Sequence, residues 1–312
     1  MTAAPTLPGT VTVRVPAKVN LQLKVGQRRA DGYHDLATVF QAVSLHDQVS
    51  VARWDAWEVV PSGTYAAGIP TDEGNLAVRA AKLVAERCHI DESLSIRIDK
   101  DIPIAGGMAG GSADAAATLL ACDQLWGLGL DRDEMASMAA ELGSDVTFPL
   151  HGGTAMASGR GEQIAPVLAR GTFYWVFAVS DQGLSTPAVY AECDRLRERS
   201  GERVPSPEID AELMGALRQG DAVALGRALH NDLEPAAFSL RPELKELRDA
   251  GVDFGALGGM VSGSGPTVAF LTASHEAALD LSVSLAAADV AGDLRRAKGP
   301  VHGAHVVTGS RD

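Results

Sequence analysis

The stretch from Pro103 to Asp114 constrains this chain more than any other. It reads Pro103-Ile104-Ala105-Gly106-Gly107-Met108-Ala109-Gly110-Gly111-Ser112-Ala113-Asp114, with four glycines between positions 106 and 111. An alternating segment, Leu94 to Ile98, precedes it, and an alanine-rich run, Ala115 to Ala121, follows it. Strand, glycine loop and helix in that order can close around an anion. Glycines reach positive φ and let backbone N–H groups approach a ligand. A helix start adds unpaired N–H donors and a partial positive charge. Ser112 puts a hydroxyl where Mg²⁺ would need one. The competing reading is a turn packed tightly against a helix; the density of the loop and its framing favour a di- or triphosphate. No Gly-Lys-Ser/Thr follows, so it is not a P-loop. The dinucleotide spacing Gly-x-Gly-x-x-Gly also fails, and no acidic residue ends a following strand at the usual distance.

Charge decides which partners are excluded. Lys plus Arg is 27 and Asp plus Glu is 40, a net charge of −13. That argues against a general nucleic-acid or anionic-membrane binder. A phosphate ligand must therefore be held by local geometry. The three cysteines, Cys88, Cys122 and Cys193, are scattered and lack metal spacing, which fits thiols in a reducing, cytoplasmic setting. Met1 to Thr10 has neither a basic start nor an apolar core, and no apolar run approaches a membrane span.

Val11 to Val25 alternates and predicts a long strand, with a break considered at Pro16. Its odd positions are apolar, so Lys18 and Asn20 share the other face, which parity alone reads as solvated. A loop follows, ending in Asp31-Gly32-Tyr33-His34. Val39 to Val60 reads as strands. Asn75 precedes a helical run, Leu76 to Cys88, and reads from the residues alone as its N-cap. Further helices are predicted over Asp114 to Trp126 and Arg132 to Leu142, the second stopped by Gly143 in a C′ role. Asp145 stands just beyond, where an aspartate is ordinarily a cap or turn residue. A glycine hairpin at 151–162 and a short buried strand, Phe173 to Val179, follow. The second half reads as helices near 188–199, 209–219, 221–229, 242–250 and 275–287, with strands near 258–271 and 302–307.

The stretch 103–114 resembles the second motif of the GHMP kinases, whose form is Pro-x-x-x-Gly-Leu-Gly-Ser-Ser-Ala or a near variant. Pro16-Ala17-Lys18-Val19-Asn20-Leu21 resembles the first motif, and Gly258 to Leu271, with Ser262-Gly263-Ser264-Gly265-Pro266-Thr267, the third. The three occur in order from about Pro16 to Phe270. Met108 replaces the usual leucine, and Ala113 replaces a second serine. The resemblance implies an α+β, two-domain fold with an active-site cleft between the domains. On that basis residues 1–170 form a nucleotide-binding and catalytic domain and 171–312 a C-terminal GHMP kinase domain.

The resemblance also assigns roles. Lys18 and Asp145, in Leu-Gly-Ser-Asp-Val, stand where the family carries its catalytic pair, and the two are expected within hydrogen-bond reach. Pro103 to Ala113, with Asn75 and Lys100, would hold ATP, and Ser112 would meet Mg²⁺. The Asp-Gly-Tyr-His segment resembles the branch that acts on a cytidine-diphosphate-linked alcohol, where Tyr33 and His34 would hold the base. A neutral histidine offers one donor and one acceptor to a cytosine edge. Asn20, Thr186, Ser264 and Gly265 would line the acceptor site. The implied activity is transfer of the ATP γ-phosphoryl to a hydroxyl of that alcohol, for isoprenoid precursor synthesis. The alternatives at this stage are a homoserine- or mevalonate-type kinase of the same family, or a nucleotide sensor without turnover. Neither gives a reason for both Tyr33-His34 and the Lys18, Asp145 pair.

Overall fold

A computed structural model describes residues 9–104, 106–180, 182–201 and 203–307. Ala105, one of the expected phosphate contacts, and the segment 1–8 lie outside the described residues. The chain opens with two long strands, β1 (Val11–Arg28) and β2 (His34–Trp54), followed by β3 (Glu58–Ser62). Helix α1 (Leu76–Arg87) and β4 (Ser93–Asp99) lead into α2 (Gly110–Trp126). Then come α3 (Arg132–Leu142), α4 (Thr147–His151), β5 (Thr154–Ser158) and β6 (Gln163–Pro166). The second half holds β7 (Phe173–Val179), α5 (Thr186–Ser200), α6 (Ala211–Gln219), α7 (Ala222–Ala228), β8 (His230–Asn231), α8 (Glu234–Leu240) and α9 (Glu243–Asp253). It closes with β9 (Gly258–Val261), β10 (Val268–Thr272), α10 (His275–Ala287), β11 (Asp293–Gly299) and β12 (His305–Val306).

Two sheets organise these elements. The first runs β12-β1-β2-β4-β3, with β5 and β6 continuing from β2 and β8 lying parallel beside β1. The second runs β11-β7-β10-β9, all antiparallel. The odd positions of β1 pack under α2 as the sequence pattern requires. Val13, Val15, Val19 and Leu21 are fully buried, each stabilising the fold by about 1.5–3 kcal/mol. Pro16 does not end the strand; the pairing with β2 shifts register between Pro16 and Ala17 and continues.

The other face of β1 departs from expectation. Lys18, Asn20 and Gln22 are buried, not solvated. The second half of the chain covers them. Gln22 Nε2 donates to the Glu208 carbonyl at 2.8 Å, and its Oε1 accepts from the Asp210 N–H at 3.0 Å. Parity assigned the face correctly, but a second layer of chain lies on it.

Strand β7 joins two cores. Phe173, Trp175 and Phe177 enter the large core with the first sheet, while Val176 and Ala178 enter a second core with Phe270, Leu281 and Leu285. Two helix ends also differ from expectation. Helix α2 starts at Gly110, four residues before Asp114, so the last two glycines of the loop form its first turn. Gly143 follows α3 with φ 167°, extended backbone and not the left-handed C′ geometry. Strand β11 was not anticipated.

Candidate active site

The glycine loop is shaped first by its neighbour. A Cβ on Gly107, whose φ is +71°, would lie 1.9 Å from the Ser262 carbonyl oxygen, and one on Gly106 would lie 2.7 Å from Thr267 Oγ1. Those two glycines let loop 106–109 touch loop 262–267 directly, and Ser262 Oγ donates to the Gly107 carbonyl at 3.1 Å. Met108 is fully buried in the main core and anchors the loop.

Helix α2 then begins without a cap. Ala109 sits at the N-cap position in the left-handed region, φ 58°, and has no side-chain acceptor. Such a conformation costs a non-glycine residue roughly 1–2 kcal/mol. It turns the chain so that Gly110, Gly111 and Ser112 open the helix, and their N–H groups have no partner within it. All three line a cleft of about 510 Å³, together with Gly106, Gly107, Lys18, Asn20, Asp145, Thr186, Ser264 and Gly265. Uncapped donors, the positive end of a 17-residue helix and a lysine opposite give this cleft the chemistry to hold an anion.

Lys18 is 5% exposed and its ammonium donates to Asn20 Oδ1 at 2.6 Å. Asn20 Nδ2 donates to Thr38 Oγ1 at 2.9 Å, and Thr38 donates to the Gln22 carbonyl at 2.6 Å. This relay fixes the lysine. The expected direct Lys18–Asp145 hydrogen bond is not formed; Asn20 takes the ammonium proton instead. Burial pushes the Lys18 pKa below its ordinary value, and the charge of Asp145 opposes that through space. Loop 262–265 covers Lys18, and Asn231 Nδ2 holds that loop by donating to the Val261 and Gly263 carbonyls at 2.8 and 2.7 Å. Ser264 Oγ and Thr186 Oγ1 are hydrogen-bonded at 2.8 Å across the cleft.

A second cleft, of about 680 Å³, opens beside the first. Tyr33, His34, Arg28, Arg160, Tyr190 and Asp194 line it, and Asp145 lines both clefts. His34 is buried, its Nε2 lies 2.9 Å from Asp194 Oδ1, and its ring lies 5.1 Å from the Tyr190 ring. Tyr33 is 55% exposed at the mouth.

Five expected nucleotide residues lie elsewhere. Lys100 is 1% exposed and does not face the cleft; it is ion-paired with Asp47 and Asp114, each at 2.5 Å. Burial opposes its charge, and Asp114 and Asp47 outweigh that, raising its pKa. This pairing neutralises the Asp114 charge beneath the first turn of α2. Asn75 caps α1, accepting from the Ala77 N–H at 2.8 Å and donating to the Pro70 carbonyl at 2.7 Å, so its amide is already engaged. Pro103 and Ile104 line a different cavity, against Tyr65 and Leu247, because the loop turns before reaching the cleft. Ala113 is fully buried inside α2.

Thr38, Phe40, Arg160, Tyr190 and Asp194 escaped the sequence reading. Tyr190 and Asp194 follow Thr186 at intervals of four on α5, so they share its helix face. That spacing was available as a signal. For Arg160 and Phe40 no comparable signal exists, because the turn and the strand face are defined only by tertiary pairing.

The family models match in the same order as these elements. One, GHMP kinases N terminal domain, covers residues 75–156, and a second, GHMP kinases C terminal, covers 213–289. The chain belongs to the GHMP kinases, a family of small-molecule kinases with an α+β fold. A protein of Mycolicibacterium smegmatis named 4-diphosphocytidyl-2-C-methyl-D-erythritol kinase is 55% identical over 96% of this chain and 93% of its own. One of the same name from Streptomyces avermitilis is 53% identical over 96% of this chain and all of its own. A crystal structure of 4-(cytidine 5′-diphospho)-2C-methyl-D-erythritol kinase superposes with a TM-score of 0.73 at 33% identity, covering 92% of this chain and 98% of that one. Homoserine kinase from Cytophaga hutchinsonii shares the fold, with a TM-score of 0.72 at 19% identity. Among the described residues, no helix is long and apolar enough to cross a membrane.

Proposed function

We propose that this chain transfers the γ-phosphoryl group of ATP to the 2-hydroxyl of 4-diphosphocytidyl-2-C-methyl-D-erythritol, in isoprenoid precursor synthesis. One observation carries the reading: Asp145 lines both the phosphate cleft and the aromatic cleft. An acceptor held by its base against Tyr33, His34 and Tyr190 would reach Asp145 with its far end. ATP held at the start of α2 would present its γ-phosphoryl to the same point.

The roles follow from chemistry. The N–H groups of Gly110, Gly111 and Ser112 bind phosphate oxygens, worth most where water is excluded. Lys18 neutralises charge on the transferring group; Asn20 and Thr38 hold it there. Asp145 orients the acceptor hydroxyl and takes its proton. Asn20, Thr186, Ser264 and Gly265 wall the acceptor. Ser112 and Asp145 are hard oxygen donors lining one cleft, which suits Mg²⁺. No group of three or more acidic, histidine or cysteine side chains that could hold a metal occurs among the described residues, so the ion would arrive with the nucleotide. Bound with ATP, it would screen the phosphate charge. The division at residue 170 is kept as our working domain boundary, and free thiols at Cys88, Cys122 and Cys193 fit a cytoplasmic enzyme.

Product analysis by ³¹P NMR tests this. Incubation with Mg-ATP and the cytidyl alcohol should yield ADP and a new phosphomonoester resonance, with the substrate diphosphate intact. Release of inorganic phosphate with no monoester would refute it.

A further inference from the structure

The segment His230 to Glu234 supplies no group to the chemistry above, yet it is fastened to two of the elements that build the phosphate cleft. On one side it joins β1. Strand β8 pairs with Gln22 and Leu23, the Asp232 N–H donates to the Leu23 carbonyl at 2.9 Å, and Asp232 Oδ2 accepts the Val25 N–H at 2.8 Å. On the other side it grips the loop that follows β9. Asn231 Nδ2 donates to the Val261 and Gly263 carbonyls, and Glu234 Oε1 accepts the Val261 N–H at 3.0 Å. Strand β1 carries Lys18 and Asn20, and the loop carries Ser264.

Asn231 is the centre of this bracket. It is buried, its Nδ2 serves two carbonyls, and its Oδ1 accepts the Leu233 N–H at 2.9 Å. The carbonyls can only accept and that N–H can only donate, so the amide has one orientation, and a carboxylate of the same size cannot replace it. Gly263 is where the loop crosses Lys18. A Cβ on Gly263 would lie 3.4 Å from Lys18 Nζ and 3.5 Å from Asn20 Oδ1. The same loop meets the glycine loop through Ser262 and Gly107, and α5 through Ser264 and Thr186.

We propose that Asn231 is a positioning residue for phosphoryl transfer: it fixes loop 262–265 over Lys18, shielding the ammonium from water and holding Ser264 at the acceptor wall. This rests on the function proposed above and adds to it a residue that touches neither substrate. Transfer requires the reacting groups at attack distance, and a displacement of about 1 Å costs on the order of 10²-fold in rate. Removing the Asn231 amide leaves two carbonyls without their donor, so the loop lifts to reach water.

The test has two arms, run on full-length wild type, Asn231→Ala and Asn231→Asp. The first is acetylation by acetic anhydride at pH 8, followed by mass spectrometry of the lysine peptides. Lys18 and Lys100 are both buried, but only Lys18 lies under this loop, so Lys100 is the internal control. Both variants should label Lys18 roughly tenfold faster or more, the size of two lost hydrogen bonds, with Lys100 labelled as in wild type. The second arm is steady-state kinetics with Mg-ATP and the cytidyl alcohol. Here kcat should fall about 10–10²-fold while KM for ATP stays within about threefold. Faster labelling of both lysines alike, the mark of a generally loosened fold, would overturn the proposal. So would Lys18 labelling or kcat equal to wild type in Asn231→Asp. The labelling arm needs no acceptor. A wild-type enzyme that does not turn over the cytidyl alcohol would therefore remove the proposed function, while selective labelling would still establish the hold of Asn231 on the cover of Lys18.

Discussion

Lys100 Nζ lies 2.5 Å from Asp114 Oδ2, beneath the helix whose first turn faces the phosphate cleft. The same ammonium reaches Asp47 Oδ2, and Asp47 Oδ1 accepts the N–H groups of Asp101 and Ile102 at 2.7 and 2.8 Å. One buried cation thus ties the strand entering the glycine loop to the helix leaving it. Burial and the neighbouring Asp114 charge push the Asp47 carboxyl up, and the Lys100 ammonium pulls it back. Lys100→Met leaves two carboxylates facing each other in the interior. We expect a loss of about 3–5 kcal/mol in urea unfolding. Stability equal to wild type would show that the triad does not brace the loop.

Lys18 has the opposite expectation. Its pKa is lowered by burial, so the unfolded chain binds that proton more strongly than the folded one. Wild-type stability should therefore rise with pH between the lowered value and 10.5, and the charged lysine should be a cost below that window. Lys18→Met should remove this pH dependence and melt higher at neutral pH, by about 0.5–2 kcal/mol, while turnover is lost. Thermal melts across pH 7 to 11 check the sign; a variant that is less stable at neutral pH would contradict it.

Gly107 tests the contact between loops. A Cβ there meets the Ser262 carbonyl at 1.9 Å, and its φ of +71° disfavours any side chain. Gly107→Ala should cost roughly 1–3 kcal/mol from overpacking, with about 1 more for the backbone. KM for ATP should rise in the same variant, because the loop that leads into α2 shifts. An unchanged KM would uncouple the two loops.

Tyr33 is exposed at the mouth of the aromatic cleft, where a base can stack on it. Tyr33→Ala should raise KM for the cytidyl alcohol in proportion to a stacking contact of about 1–3 kcal/mol, with KM for ATP unchanged. Tyr33→Phe should be near wild type. An equal effect of both substitutions would point to the hydroxyl and away from stacking.

What the sequence disclosed, and what it did not, follows from range. Local order was legible: the alternation of β1, the strand Phe173–Val179 and the helix His275–Ala287 coincide with the structure. So was the meeting of Lys18, Gly110, Ser112, Asp145, Thr186 and Ser264 in one cleft, through motif resemblance. Strand β11 was not legible, because four of its seven residues, Asp293, Arg295, Arg296 and Lys298, are charged and only pairing with β7 makes it a strand. Lys100 misled because a lysine beside a glycine loop looks like a phosphate ligand. Only the fold shows that Asp47, 53 positions away, claims it first. The buried face of β1 was hidden for the same reason: its cover comes from residues near 208–210 and 262–265.

The central claim is that Asp145 serves a cytidyl acceptor in a site shared by both clefts. ADP release should be measured with Mg-ATP and three alcohols offered separately: the cytidyl compound, mevalonate and homoserine. Asp145→Asn is run beside wild type. We expect turnover with the cytidyl compound alone, reduced about 10²–10⁴-fold in the variant with ATP binding retained. Equal turnover with mevalonate or homoserine, or an Asp145→Asn enzyme as fast as wild type, would contradict the account.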